Sequence, residues 1–142
     1  MAHGAMGNAR WTGVKLKDVL AKAGVGAGAV QVIFSGMDQG GEDKIPDFIK
    51  SLNVDIATRN GDIIFAYAMN GTDLPMRNGY PVRLIVPGYT GTYWVKHLTQ
   101  IAVVNAVFTG FYMRYRFAAD HGASGMAESC GQHGRQVRRG AD

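Results

Sequence analysis

Cysteine is nearly absent from the 142 residues, with Cys130 standing alone. It has no partner for an internal disulfide, and no CxxC or Cys/His spacing is present to hold a structural zinc ion. No apolar run reaches the roughly 18 residues that a membrane-crossing helix requires, so no span is expected. Lysine and arginine outnumber acidic residues 15 to 11 but never occur in runs longer than two. The resulting charge of +4 suits an anionic ligand. It lacks the basic stripe of a nucleic-acid binder, and no nucleic-acid partner is expected. The opening Met1-Ala2-His3-Gly4 has no charged segment leading into an apolar one, so no export signal is legible there. Charged residues make up only 18% and apolar residues 46%, which is the balance of a folding chain and not of a disordered one. The length favours a single domain.

Glycine is plentiful, at twenty residues, and suggests many turns and some close backbone approaches. Thr12 can cap a helix over 14–23, where Val14, Leu16, Val19, Leu20 and Ala23 form an apolar stripe and Gly24 supplies a stop. Residues 29–35 read as a strand. Residues 47–52, after Pro46, read as a short helical turn or an irregular segment. Asn60-Gly61, Asn70-Gly71 and Asn78-Gly79 are turn signals. Between and after them, 63–69, 82–86 and 99–104 read as strands. One helix, several strands and long loops predict an α+β (mixed α/β) domain. From 118 to 142 Gly, His, Ser and Arg dominate and the apolar pattern stops, so this tail is expected to be disordered.

The segment 81–98 carries the most chemistry. Arg83 sits one residue inside an apolar strand, and a guanidinium buried without a partner is costly. Two partners satisfy that requirement: an acidic residue such as Asp38 or Asp62, or an anionic ligand matched to the fork of the guanidinium. The loop Pro87-Gly88-Tyr89-Thr90-Gly91-Thr92-Tyr93 can bring backbone N–H groups close to an anion, with Lys96 just beyond. It does not have Walker A spacing and reads equally as an ordinary strand connection with a solvated lysine. Asp38, in a glycine-rich turn, can accept hydrogen bonds from a ligand or simply close an Asx-turn. Trp11 and Trp94 read as core or lid residues. His3 and His97 have no metal-spaced companions.

Several ordered segments resemble the sulfite oxidase family of molybdopterin-dependent oxidoreductases. Gly7 to Leu20, with Ala9-Arg10-Trp11, resembles its "ARW-x-G-x-x-L-x-D-V-L" stretch. Phe34-Ser35-Gly36-Met37-Asp38 resembles its "F-x-G-x-D" turn. Ile64 to Pro75 resembles "LLAYEMNG-x-x-LP", and Asn78 to Gly88 resembles "HG-[FY]-P-[VL]-R-L-V-V-P-G". Trp94-Val95-Lys96-His97-Leu98 matches "x-V-K-x-L". The similarity covers about 5–117 of the 142 residues and is similar in wording to bacterial sulfite dehydrogenases.

The resemblance implies a sulfite-oxidase-like molybdopterin-binding domain over 1–117, incomplete at both ends. It implies that Asp38, Asn78 (in place of the family histidine), Arg83, Trp94, Val95 and Lys96 contact the pterin and its phosphate. It implies Tyr115 as the tyrosine near the substrate, from the stretch 108–116. The family metal ligand is a cysteine expected upstream of Met1, so no metal ligand is assigned here and Cys130 is not given that role. The implied reaction is oxidation of sulfite to sulfate, with electrons passing to a c-type cytochrome, in the periplasm. Without the cysteine the chain alone is expected to be inactive. A related sulfoxide-reducing enzyme and a non-catalytic remnant are the alternatives.

Overall fold

The computed structural model describes residues 7–41 and 45–114. Val14 and Lys15 depart from the helix expected over 14–23, and the rest of it is found. Trp11–Lys15 forms strand β1, and helix α1 (Leu16–Ala23) begins only afterwards. Thr12 therefore does not cap the helix; the cap position is Lys15, which makes no side-chain cap bond. The reason is non-local. β1 pairs antiparallel with β4 (Ile64–Met69), from Trp11 opposite Met69 to Lys15 opposite Ile64. The Leu16 N–H then donates to the Ile63 carbonyl at 2.9 Å, so the ladder runs directly into the helix. Leu16 and Leu20, one helical turn apart, are the buried side chains of α1.

β2 (Gln31–Gly36) is the middle strand of a three-stranded sheet, between β3 (Ile49–Asn53) and β7 (Leu98–Val104). β3 corrects the short helical turn or irregular segment expected over 47–52, and helix α2 (Val54–Arg59), which follows it, had no sequence signal. Directly opposed residues of an antiparallel pair share a face. Leu52 opposes Val32 and Lys50 opposes Phe34, so this lysine occupies a core-facing position. The second sheet is built on β4, which pairs with β1, with the short β5 (Thr72–Asp73) and with β6 (Arg83–Ile85). α3 (Phe111–Arg114) ends the described chain. The fold is α+β, as the alternation of segments indicated.

One apolar cluster joins the two sheets: Leu16, Leu20, Val32, Phe34, Leu52, Phe65, Leu84, Val86 and Val95 among others. Phe34 of one sheet meets Phe65 of the other edge-on, with ring centroids 6.5 Å apart. Surface charge contributes little by comparison. Asp55 and Arg59 on α2 lie 3.6 Å apart but are 75% and 83% exposed. Arg59→Ala is expected to change the free energy of unfolding in urea by about 0.5 kcal/mol or less, the scale of an exposed helical ion pair.

Candidate functional site around Arg83

β6 is three residues long and buried throughout. On one side Arg83 opposes Ala66 of β4. On the other, Leu84 N–H donates to the Val95 carbonyl at 2.8 Å and Leu98 N–H to the Val82 carbonyl at 2.9 Å. The backbone of Arg83 is thus fixed from both flanks, and the residue is only 8% exposed. Nη1 donates to the Asn78 carbonyl at 2.9 Å and Nη2 to the Trp94 carbonyl at 3.2 Å. Nε is buried and has no acceptor.

No carboxylate among the described residues pairs with this guanidinium, so the expected alternative of an ion pair with Asp38 or Asp62 is not what the structure shows. Two indoles enclose it instead. The Arg83 Cζ lies 5.0 Å from the Trp11 ring centroid and 5.9 Å from that of Trp94. The two rings meet edge-on at 6.2 Å. Trp94 is itself held by a 2.9 Å hydrogen bond from Nε1 to the Val86 carbonyl. Burial draws the Arg83 pKa below its ordinary value. An arginine nevertheless stays charged near neutral pH. A cation with a buried, unused N–H and only carbonyl dipoles and indole faces as partners is electrostatically incomplete. An anion is what would complete it.

The floor of the site is a tight turn. Met76–Asn78 is a single 3-10 turn closed by Gly79 at φ 110°, ahead of a cis Tyr80-Pro81 bond. A Cβ on Gly79 would lie 3.0 Å from the Lys96 Cβ and 3.1 Å from the Arg83 Cβ, so the turn rests directly on both cationic residues. Lys96 is exposed and donates from Nζ to the Arg77 carbonyl at 2.8 Å. An ammonium has three donors, so this bond leaves capacity for a ligand. His97 N–H reaches the Gly79 carbonyl and its Nδ1 lies 2.7 Å from the Tyr80 carbonyl, closing the turn from the far side.

A model of the oxidoreductase molybdopterin binding domain matches residues 1–112. The chain belongs to this family. The molybdopterin-binding domain is 36% identical to the sulfite oxidase of Arabidopsis thaliana over 118 residues, covering 78% of this chain and 30% of that protein. It is 42% identical to the nitrate reductase [NAD(P)H] of Hordeum vulgare over 106 residues, covering 70% of this chain and 12% of that protein. Among solved structures it superposes on the sulfane dehydrogenase SoxCD of Paracoccus pantotrophus with a TM-score of 0.61 at 28% identity, covering 69% of this chain and 23% of that one. The chain thus spans 12–30% of the length of these two enzymes from plants. The cofactor class is molybdopterin, as the motifs implied.

Within the molybdopterin-binding domain the structure gathers Asn78, Arg83, Trp94, Val95 and Lys96 around the 3-10 turn. Their contributions differ from a simple list of side-chain contacts. Asn78 and Trp94 present carbonyls to Arg83, and Val95 is buried in the core with its carbonyl in the ladder. Asp38 is exposed; its neighbour Met37 donates from its N–H to the His97 carbonyl at 3.0 Å, and its own carbonyl accepts from the Phe48 N–H at 3.1 Å. Tyr115, Cys130 and the tail 118–142 lie outside the described residues. Two participants were not assigned from the sequence. Trp11, read as core or lid, stacks on the key cation. Lys50 on β3 is 4% exposed and lies 4.8 Å from the Tyr93 ring, next to Trp94.

Proposed function

We propose that this stretch, residues 1–117, grips the phosphate-bearing end of molybdopterin in an oxidoreductase that converts sulfite to sulfate and passes electrons to a c-type cytochrome. The observation that carries the reading is the buried guanidinium of Arg83, with Nε unused and no carboxylate partner. When bound, the cofactor would supply the two-electron redox chemistry. The chain supplies binding and orientation. Arg83 offers a charged fork to a phosphate, and Lys96 adds a second positive charge at the solvent side. Trp11 and Trp94 exclude water from the guanidinium faces. Asp38 accepts hydrogen bonds from pterin amino groups, and Asn78 fixes the arginine through its carbonyl. Tyr115 is proposed to orient the substrate by a hydrogen bond.

Sulfite oxidases and nitrate reductases match this stretch at comparable identity, 36% and 42% for the two described. Holding the cofactor is what such enzymes have in common, so the matched residues report the hold more directly than the substrate. The sulfite reading is favoured by the match to a sulfane dehydrogenase, whose substrate is also a sulfur compound, and by the Thr92-Tyr93-Trp94-Val95-Lys96 wording. The stretch alone is proposed to retain cofactor without turnover. Among the described residues no helix is long and apolar enough to cross a membrane. A periplasmic setting is part of the proposal.

The test is expression in a host that makes molybdopterin, followed by release and quantification of the pterin. About one pterin per chain supports the reading, and none overturns it. Sulfite-dependent cytochrome reduction by the isolated stretch would overturn the proposed lack of turnover. Trp11→Leu removes one aromatic face from Arg83 while keeping an apolar side chain. A partly desolvated cation–π contact is worth about 1 kcal/mol, so retention through dialysis is expected to weaken roughly fivefold.

A further inference from the structure

Lys50 borders the site through the Tyr93 ring and is almost fully buried on the core face of β3, opposite Phe34. Its Nζ donates to the Tyr112 carbonyl of α3 at 2.6 Å. The same ammonium lies 4.8 Å from the Tyr93 ring centroid and 5.8 Å from that of Phe48. Phe48 and Tyr112 in turn pack ring on ring at 4.8 Å. Tyr93 is the residue before Trp94, whose carbonyl accepts from Arg83. One desolvated cation therefore touches the loop 88–94 that presents Trp94 and the helix that ends the described chain. α3 is four residues long, too short to be stable on its own hydrogen bonds. Its seat depends on contacts such as these, which a cation strengthens through both a carbonyl and a π face.

We infer that Lys50 is a positioning residue that clamps the loop 88–94 to α3, so that an anionic ligand seated on Arg83 and Trp94 also orders the segment 111–114. The identity of that ligand rests on the molybdopterin reading; the clamp itself does not. Coupling of this kind is reciprocal: what orders α3 tightens the loop, and what occupies the loop orders α3.

Hydrogen exchange on the full chain tests it, comparing wild type with Lys50→Met and Lys50→Arg. Lys50→Met is expected to speed exchange about tenfold or more in both 88–94 and 111–114, with the β2 amides unchanged. Lys50→Arg, which keeps the cation, is expected to restore both segments. Loosening of 111–114 alone, or equal behaviour of the Met and Arg variants, would overturn the clamp. Should Lys50→Met also expose β2, Tyr93→Leu decides, because it leaves Lys50 in place and removes the ring from a different element. That variant is expected to loosen 111–114, and unchanged protection there would refute the inference. In the molybdopterin-loaded protein, wild type is expected to gain protection at 111–114 and Lys50→Met is not. If the wild-type chain retains no pterin, the proposed function fails, while the ligand-free comparison still decides Lys50.

Discussion

Arg83→Gln protein made in a molybdopterin-producing host is expected to fold and to come away essentially free of pterin. Glutamine keeps an N–H donor for one of the two carbonyls, those of Asn78 and Trp94, that the guanidinium now serves. It removes the charge and the fork. Hydrogen bonds from a charged donor contribute about 1.5–3 kcal/mol each, so losing two of them to a phosphate weakens retention by about two to four orders of magnitude. The stability cost is smaller. One carbonyl loses its donor, at about 1–3 kcal/mol, while removing a buried charge relieves part of its desolvation. Arg83→Ala strips both carbonyls and confounds the two effects, so the glutamine variant is the sharper probe. Pterin released per chain, read beside the urea midpoint, separates binding from folding. A glutamine variant that folds and retains wild-type pterin would end the assignment.

That Arg83 is a buried charge in need of partners is legible in the sequence, because a charge inside an apolar strand is an incongruity that the sequence displays openly. Its partners were not legible. Asp38 and Asp62 are marked by their side chains, whereas the carbonyls of Asn78 and Trp94 carry no mark in the sequence. Trp11 stacks on Arg83 across 72 positions, a distance that no local pattern spans. The elements follow the same division. β2, β4, β6 and β7 were readable from compact apolar runs and the Asn-Gly turns that punctuate them. The end of β1 reads as helix because Val14 extends the helical stripe of Leu16 and Leu20 by one position. Its pairing with β4, some fifty residues away, overrides that local preference. β3 was obscured by burying Lys50 and Ser51 where apolar residues would reveal the strand. α2 has β-branched Val54, Ile56 and Thr58 in six residues, so nothing in its propensities announces a helix.

Gly79→Ala is expected to lower stability by about 2–4 kcal/mol and to diminish pterin retention with it. Two effects add. At φ 110° the backbone of residue 79 is strained for any side chain. The new methyl would also fall 3.0 Å from the Lys96 Cβ, and 3.1 Å from both the Lys96 Cα and the Arg83 Cβ. These are atoms next to the main chain and cannot swing aside as the end of a long side chain can. Relief must come from moving β6 or the 94–97 segment, the two walls that hold the guanidinium. Gly71 supplies the control. It too has positive φ, at 86°, but a Cβ there meets nothing within 4 Å. Gly71→Ala is therefore expected to cost only the backbone term, about 1–2 kcal/mol, and to leave pterin content unchanged. The difference between the two variants isolates the close approach of the turn to Arg83 and Lys96. Equal losses of stability with equal pterin content would show that the turn does not brace the site, and that the arginine is held by its carbonyl partners and indoles alone.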